Sequence, residues 1–219
     1  MLPALDHVSA VLFDVDGTLI DSNGAHAESW AQALTEHGFP RHAEEVRPLI
    51  GMGSDKLLPT IVAGLEAESP QGRAIARRKK EWFAERLPRL QATHGARALV
   101  AHLREREKAM VVATSADTEE MNAILRQAGV ADLIACRTSS DDAEESKPDP
   151  DIVVAALRRA GAPPDAAVMI GDTPYDIEAA RRAGVGAIVF RCGGYWPDGS
   201  LGGALAIFDD PETLLAGWK

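Results

Sequence analysis

The sequence predicts an α/β protein: a doubly wound, parallel, five-stranded sheet with a small all-α segment inserted into it. Three observations lead there. Short apolar runs alternate with helical patterns, a long gap separates the first two runs, and the pattern inside that gap is purely helical. The runs cover 8–13, 109–113, 133–136, 167–170 and 187–190. Continuous apolar runs of this length read as strands buried on both faces. Helical patterns at 96–107, 118–128, 151–160 and 175–183 separate the later runs, and Gly129, Gly161 and Gly184 close three of them. Strand alternating with helix implies crossover connections and a parallel sheet.

The gap between the first two strands is about 95 residues, about three times what one crossover helix and its loops need. Helices are expected within it at 25–37, 44–50, 54–65 and 72–87. A small helical cap over 22–92, with an α/β core formed by 1–21 and 93–219, is the simplest division. The segment 22–92 holds ten basic against nine acidic side chains, so the acidic excess lies in the core. The basic run Arg77, Arg78, Lys79 and Lys80 reads as a solvated helix face.

The 219 residues are 46% hydrophobic and 26% charged, which excludes wholesale disorder and fibrous repeats. A net charge of −10 argues against nucleic-acid and anionic-membrane partners. Two cysteines are too few for a disulfide scaffold or a four-thiolate zinc site, and a reducing cytoplasm is the expected compartment. Neither a secretory signal nor a membrane span is expected.

Candidate chemistry gathers at strand ends, where open parallel sheets bind ligands. The first strand runs into Asp14-Val15-Asp16-Gly17-Thr18, two carboxylates followed by a turn glycine whose neighbouring amides can face an anion. The fourth runs into Gly171-Asp172-Thr173-Pro174-Tyr175-Asp176. There the ordinary reading is Asp172 as a helix N-cap and Asp176 as a first-turn acid. Four acids at one sheet edge nevertheless repel without a counter-ion, and an all-oxygen set with no nearby His or Cys suits Mg²⁺. Thr114 and Ser115 end the second strand, where a hydroxyl and following amides suit a phosphate oxygen or merely cap the next helix. Lys147 sits in the proline-stiffened loop Ser146-Lys147-Pro148-Asp149-Pro150. A lysine there can offset part of the acid cluster and grip a phosphoryl oxygen.

Phe13-Asp14-Val15-Asp16-Gly17-Thr18-Leu19, Thr114, Lys147-Pro148 and Gly171-Asp172 with Asp176 resemble, in order, the four motifs of the haloacid dehalogenase (HAD) superfamily. The resemblance spans essentially the whole chain and implies a HAD-like Rossmannoid core. The helical insert resembles the cap of the subgroup containing phosphoglycolate phosphatase and β-phosphoglucomutase. By this resemblance Asp14 is the nucleophile that forms an aspartyl-phosphate and Asp16 the general acid/base. Thr114 and Lys147 hold phosphoryl oxygens. Mg²⁺ is bound by Asp14, Asp172 and the backbone carbonyl of Asp16, with Asp176 supporting through water.

Thr18 and Ser115 are assigned to substrate binding on the same basis. His26, in Asp21-Ser22-Asn23-Gly24-Ala25-His26, resembles a cap-hinge residue that contacts substrate or leaving group, although a helix-face histidine is more often a packing residue. The segment Leu49-Ile50-Gly51-Met52-Gly53-Ser54-Asp55-Lys56 resembles a specificity loop, with Lys56 a candidate for a second anionic group. Cys192-Gly193-Gly194-Tyr195-Trp196-Pro197 receives no role.

Dehalogenases and phosphonatases lack the second aspartate of the first motif, which this chain keeps as Asp16. The expected function is therefore Mg²⁺-dependent hydrolysis of a small phosphorylated metabolite by a monomer or homodimer. A sugar-phosphate mutase using the same intermediate is the alternative.

Overall fold

The computed structural model describes residues 7–218; residues 1–6 and 219, the ends of the expected core, lie outside the described residues. The sheet is parallel and has six strands: β1 (Ala10–Phe13), β2 (Ala109–Ala113), β3 (Cys136–Thr138), β4 (Ala167–Gly171), β5 (Gly186–Phe190) and β6 (Ala206–Phe208), in the order β3-β2-β1-β4-β5-β6. The expected count of five is corrected by β6, a three-residue edge strand. It extends the sheet by pairing Ile188 with Ala206 and Phe190 with Phe208. The third strand also starts later than its apolar run. Leu133 and Ile134 donate their amides to the Val130 carbonyl in a turn, so these side chains pack beneath the sheet instead of joining it.

Alternation along the strands builds two cores. Val11 and Phe13 of β1, Val168 and Ile170 of β4, and Ile188 and Phe190 of β5 face one side. They meet α5 (Ala96–Glu105), α6 (Thr118–Gln127) and α9 (Pro211–Gly217) there. Ala10, Leu12, Met169, Ala187 and Val189 face the other side, against α7 (Asp151–Ala160) and α8 (Pro174–Arg182). This period-two pattern fixes the register, because a one-residue slip would exchange the two faces.

Between β1 and α5 run α1 (Asn23–Glu36), α2 (Ala43–Val46), α3 (Ser54–Ile61) and α4 (Pro70–Arg86). These helices share an apolar cluster of their own that includes Trp30, Leu34, Leu57, Leu58 and Ile75. The helix expected over 44–50 is broken: α2 ends at Val46, and Pro48 sits in the 3₁₀ turn that follows. Chain order reverses between β1 and β4, which are neighbours, so the switch point where such sheets bind ligands lies at their carboxyl ends.

Candidate active site

The register of β1 against β4 pairs Phe13 with Ile170, and the Asp14 amide donates to the Ile170 carbonyl at 2.8 Å. This brings the residues after both strands together. Carboxylate oxygens of Asp14, Asp172 and Asp176 lie within 4.8 Å of one another, all three residues buried. Thr173, not Asp172, caps α8. Its hydroxyl donates to Asp176 Oδ2 at 2.7 Å, and its amide donates to the same oxygen at 3.0 Å. The capping work therefore falls on Thr173 and Asp176, and the Asp172 carboxylate is left facing Asp14.

Lys147 Nζ lies 2.5 Å from Asp14 Oδ1 and 2.7 Å from Asp176 Oδ1. Burial alone would depress this ammonium, but the two carboxylates outweigh it and hold it protonated. Burial pushes the Asp14 carboxyl up; Lys147 pulls it back in part, and Asp176 and Asp16 add repulsion, leaving it at about 8. Asp172 is likewise raised well above the usual carboxylate range, by burial first and then by Asp176 and Asp14. One ammonium does not balance three buried carboxylates.

That imbalance, with an all-oxygen donor set, fits a hard dication of the Mg²⁺ type. The surroundings fit as well. A Cβ on Gly17 or on Gly193 would run into the Asp172 carboxylate, so bare backbone is required on both sides of it. Asn23 donates Nδ2 to Asp172 Oδ2 at 2.7 Å and to the Gly193 carbonyl at 3.3 Å, while its own Oδ1 is buried with no hydrogen-bond partner.

Asp16 does not join the carboxylate cluster. Its Oδ1 accepts from Ser22 Oγ at 2.5 Å and faces His26 Nε2 at 2.8 Å. Burial would raise this carboxyl, but His26, Ser22 and Lys79 overcome it and bring it down to about 2. The His26 ring stacks on Phe83 of α4 at 3.8 Å between centroids, so α1 and α4 together set its direction. Asp14, Asp16, His26, Thr114 and Ser115 line one cavity of about 310 Å³ between the sheet edge and the helical insert.

Three residues assigned to catalysis or substrate binding do not line that cavity. Thr18 is fully buried beneath the carboxylates, its hydroxyl 3.4 Å from Asp14 Oδ2 and 3.5 Å from Asp172 Oδ1, and does not reach the cavity. Lys147, buried between Asp14 and Asp176, does not line the cavity either. Lys56 points to Glu145 at 2.8 Å and Asp149 at 2.6 Å across the boundary between insert and sheet unit. With these carboxylates satisfying it, its ammonium is not directed at the cavity.

Sequence reasoning missed Lys79, Glu120, Asn23 and Arg47. Lys79, expected on a solvated face, is 7% exposed and lines the cavity. The signal was present, since Ile75, Lys79 and Phe83 follow one another at four-residue spacing along one face of α4 and all are buried. Arg47 Nη2 donates to the Gly193 carbonyl at 2.7 Å, giving the 192–197 loop a place at the site that its composition did not announce. The turn Gly51-Met52-Gly53 touches two loops of the sheet unit: Ser115 Oγ donates to the Gly51 carbonyl at 3.3 Å, and the Gly53 amide donates to Ser146 Oγ at 3.0 Å.

Residues 8–184 match the family model of the haloacid dehalogenase-like hydrolases. The chain belongs to that family. It is 33% identical over 214 residues to a phosphoglycolate phosphatase from Rhodospirillum rubrum, covering 94% of this chain and 88% of the relative. Among solved structures, a hydrolase from Pseudomonas syringae superposes with a TM-score of 0.89 at 27% identity, covering 96% and 97% of the two chains. A putative β-phosphoglucomutase from Bacteroides vulgatus gives 0.85 at 25% identity, covering 96% and 87%. Among the described residues no helix is long and apolar enough to cross a membrane.

Proposed function

We propose that this HAD-family phosphatase is a Mg²⁺-dependent hydrolase of small phosphomonoesters that works through an aspartyl-phosphate on Asp14. The observation that carries the reading is the position of Asp14: its carboxylate opens onto the cavity on one side and shares the Asp172–Asp176 cluster and the Lys147 ammonium on the other. Asp14, Asp172 and the Asp16 carbonyl would hold Mg²⁺, with Asp176 behind them. Bound there, the ion supplies Lewis-acid stabilisation of phosphoryl charge and favours the ionised nucleophile.

In the first half-reaction an Asp14 oxygen attacks phosphorus while the ester oxygen departs and takes a proton from Asp16. In the second, Asp16 accepts a proton from water as that water attacks the acyl phosphate, releasing phosphate and restoring Asp14. The Ser22 and His26 contacts that hold Asp16 at about 2 favour its ionised form, so the acid step requires them to loosen and Asp16 to take up a proton as substrate binds. Thr114 and Ser115 hydroxyls bind phosphoryl oxygens, and Lys147 fixes the Asp14 carboxylate. Thr18 braces Asp14 and Asp172. Residues 22–92 act as a cap whose closure excludes water. Both cysteines are free, which fits the reducing cytoplasm as the site of action.

The structural neighbour described as a putative β-phosphoglucomutase favours the second reading, phosphoryl return to a sugar phosphate instead of water. The deciding experiment is phosphate release over a panel of metabolite phosphoesters with Mg²⁺ and with EDTA, beside Asp14→Asn. Hydrolysis is expected with Mg²⁺ alone, and Asp14→Asn loses it while melting as the parent does. Release by that variant at the parental rate overturns the nucleophile, and bisphosphate-dependent isomerisation without net release selects the mutase.

A further inference from the structure

Beyond Asp14 and Asp16, six further acids line the cavity. These are Asp55, Glu68, Asp117, Glu120, Glu144 and Glu145, against the ammonium groups of Lys79 and Lys80 only. Neither ammonium is available. Lys80, half exposed at the rim, is paired with Asp117. Lys79, the buried one, has its Nζ 2.8 Å from Glu120 Oε1. The same Glu120 oxygen lies 3.8 Å from His26 Nδ1, so one carboxylate from α6 occupies the space between the two basic groups that the insert sends into the cavity.

The pair is nearly dry. The side chains of Lys79 and Glu120 are 9% and 10% exposed, where Coulomb attraction is screened much less than at the surface. An incoming carboxylate or second phosphate on the substrate would have to displace Glu120 from Lys79 while facing the remaining acids. Like-charge juxtaposition of this kind rejects ligands more effectively than it binds them.

We propose that Glu120 is a specificity-determining residue: by neutralising Lys79 it makes the cavity select phosphomonoesters whose alcohol half carries no negative charge. The proposal rests on the phosphoester reading of the site and narrows it to hydroxylated or amine-bearing alcohols small enough for about 310 Å³. It separates this chain from the substrate that the name of its Rhodospirillum rubrum relative would suggest.

The test is kcat/KM with Mg²⁺ for three small phosphate esters that differ in the charge of the alcohol half: 2-phosphoglycolate, O-phosphoethanolamine and glycerol 1-phosphate. In the parent protein the last two should exceed phosphoglycolate by about tenfold or more, the scale of one unfavourable charge contact of about 1.4 kcal/mol. Glu120→Gln frees Lys79 and should shrink that ratio to about threefold or less, mainly by raising phosphoglycolate turnover. Glu105→Gln, an exposed change of the same net charge on α5, should leave the ratio where it was. Phosphoglycolate matching or exceeding the other two in the parent, or an unchanged ratio in Glu120→Gln, overturns the proposal while the hydrolase reading stands. No release from any ester overturns both.

Discussion

His26 Nε2, on the first helix of the insert, faces Asp16 Oδ1, on the loop after β1, at 2.8 Å. The contact ties the Asp16 carboxylate to the insert and not to Asp14 two residues away. Asp16→Asn should cost most where the leaving oxygen is basic. Alkyl phosphates are expected to lose about 10²- to 10⁴-fold in kcat, the usual worth of a positioned acid, and p-nitrophenyl phosphate considerably less. Steady-state rates on both ester types check this, and equal losses would count against the acid role.

The pH dependence of stability follows from opposing shifts. Asp14, at about 8, and the raised Asp172 hold protons in the folded, metal-free protein that the unfolded chain has released. Where the folded state binds more protons, stability falls as pH rises, here between roughly 4 and 8. Asp16, lowered to about 2, acts in the other direction: its contribution is complete above the ordinary carboxylate range and is lost as pH falls from about 4 to about 2. Lys147, raised, contributes evenly across both windows. In EDTA the melting temperature should decline from pH 5 to 8.5, and millimolar Mg²⁺ should flatten that decline by favouring the ionised acids. A melting temperature that climbs to pH 8.5 in EDTA contradicts the assignment.

Lys56 joins α3 to Glu145 and Asp149 of the sheet unit, partly exposed to solvent. Such pairs are worth about 0.2–1 kcal/mol and weaken with salt. Lys56→Ala should lower kcat/KM about two- to fivefold for neutral and charged esters alike, with the deficit vanishing in high salt. A loss confined to anionic substrates would instead return Lys56 to the cavity.

Cys192 donates its thiol to the Gly17 carbonyl at 3.4 Å, and burial, aided by Asp172, pushes that thiol up to about 12. The thiolate is the reactive form, so Cys192 should resist alkylation at neutral pH. Cys136 is exposed at the start of the edge strand. Iodoacetamide followed by peptide mass analysis should find label on Cys136 in the native protein and on both after denaturation.

The sheet, its two faces and the helical insertion were legible because buried parallel strands read as apolar runs and crossover helices repeat at 3.6 residues. The edge strand Ala206–Phe208 was not, since three residues after a glycine-rich loop carry no period. In the site, Asp14, Asp172 and Asp176 were legible from their places at strand ends. Lys79 was hidden by its basic neighbours, Arg77, Arg78 and Lys80, although its spacing from Ile75 and Phe83 points inward. Glu120 was not singled out and Lys56 was assigned to an anionic group of the substrate, because a carboxylate or an ammonium declares its role only through what faces it across the chain.

The Gly51-Met52-Gly53 turn bonds at once to Ser115, which follows β2, and to Ser146, which precedes α7. A swing of the insert away from the sheet unit would have to break both of these bonds along with the Lys56 and Lys79 ion pairs. Entry to the cavity is thus coupled to the same polar joints that hold the two units together.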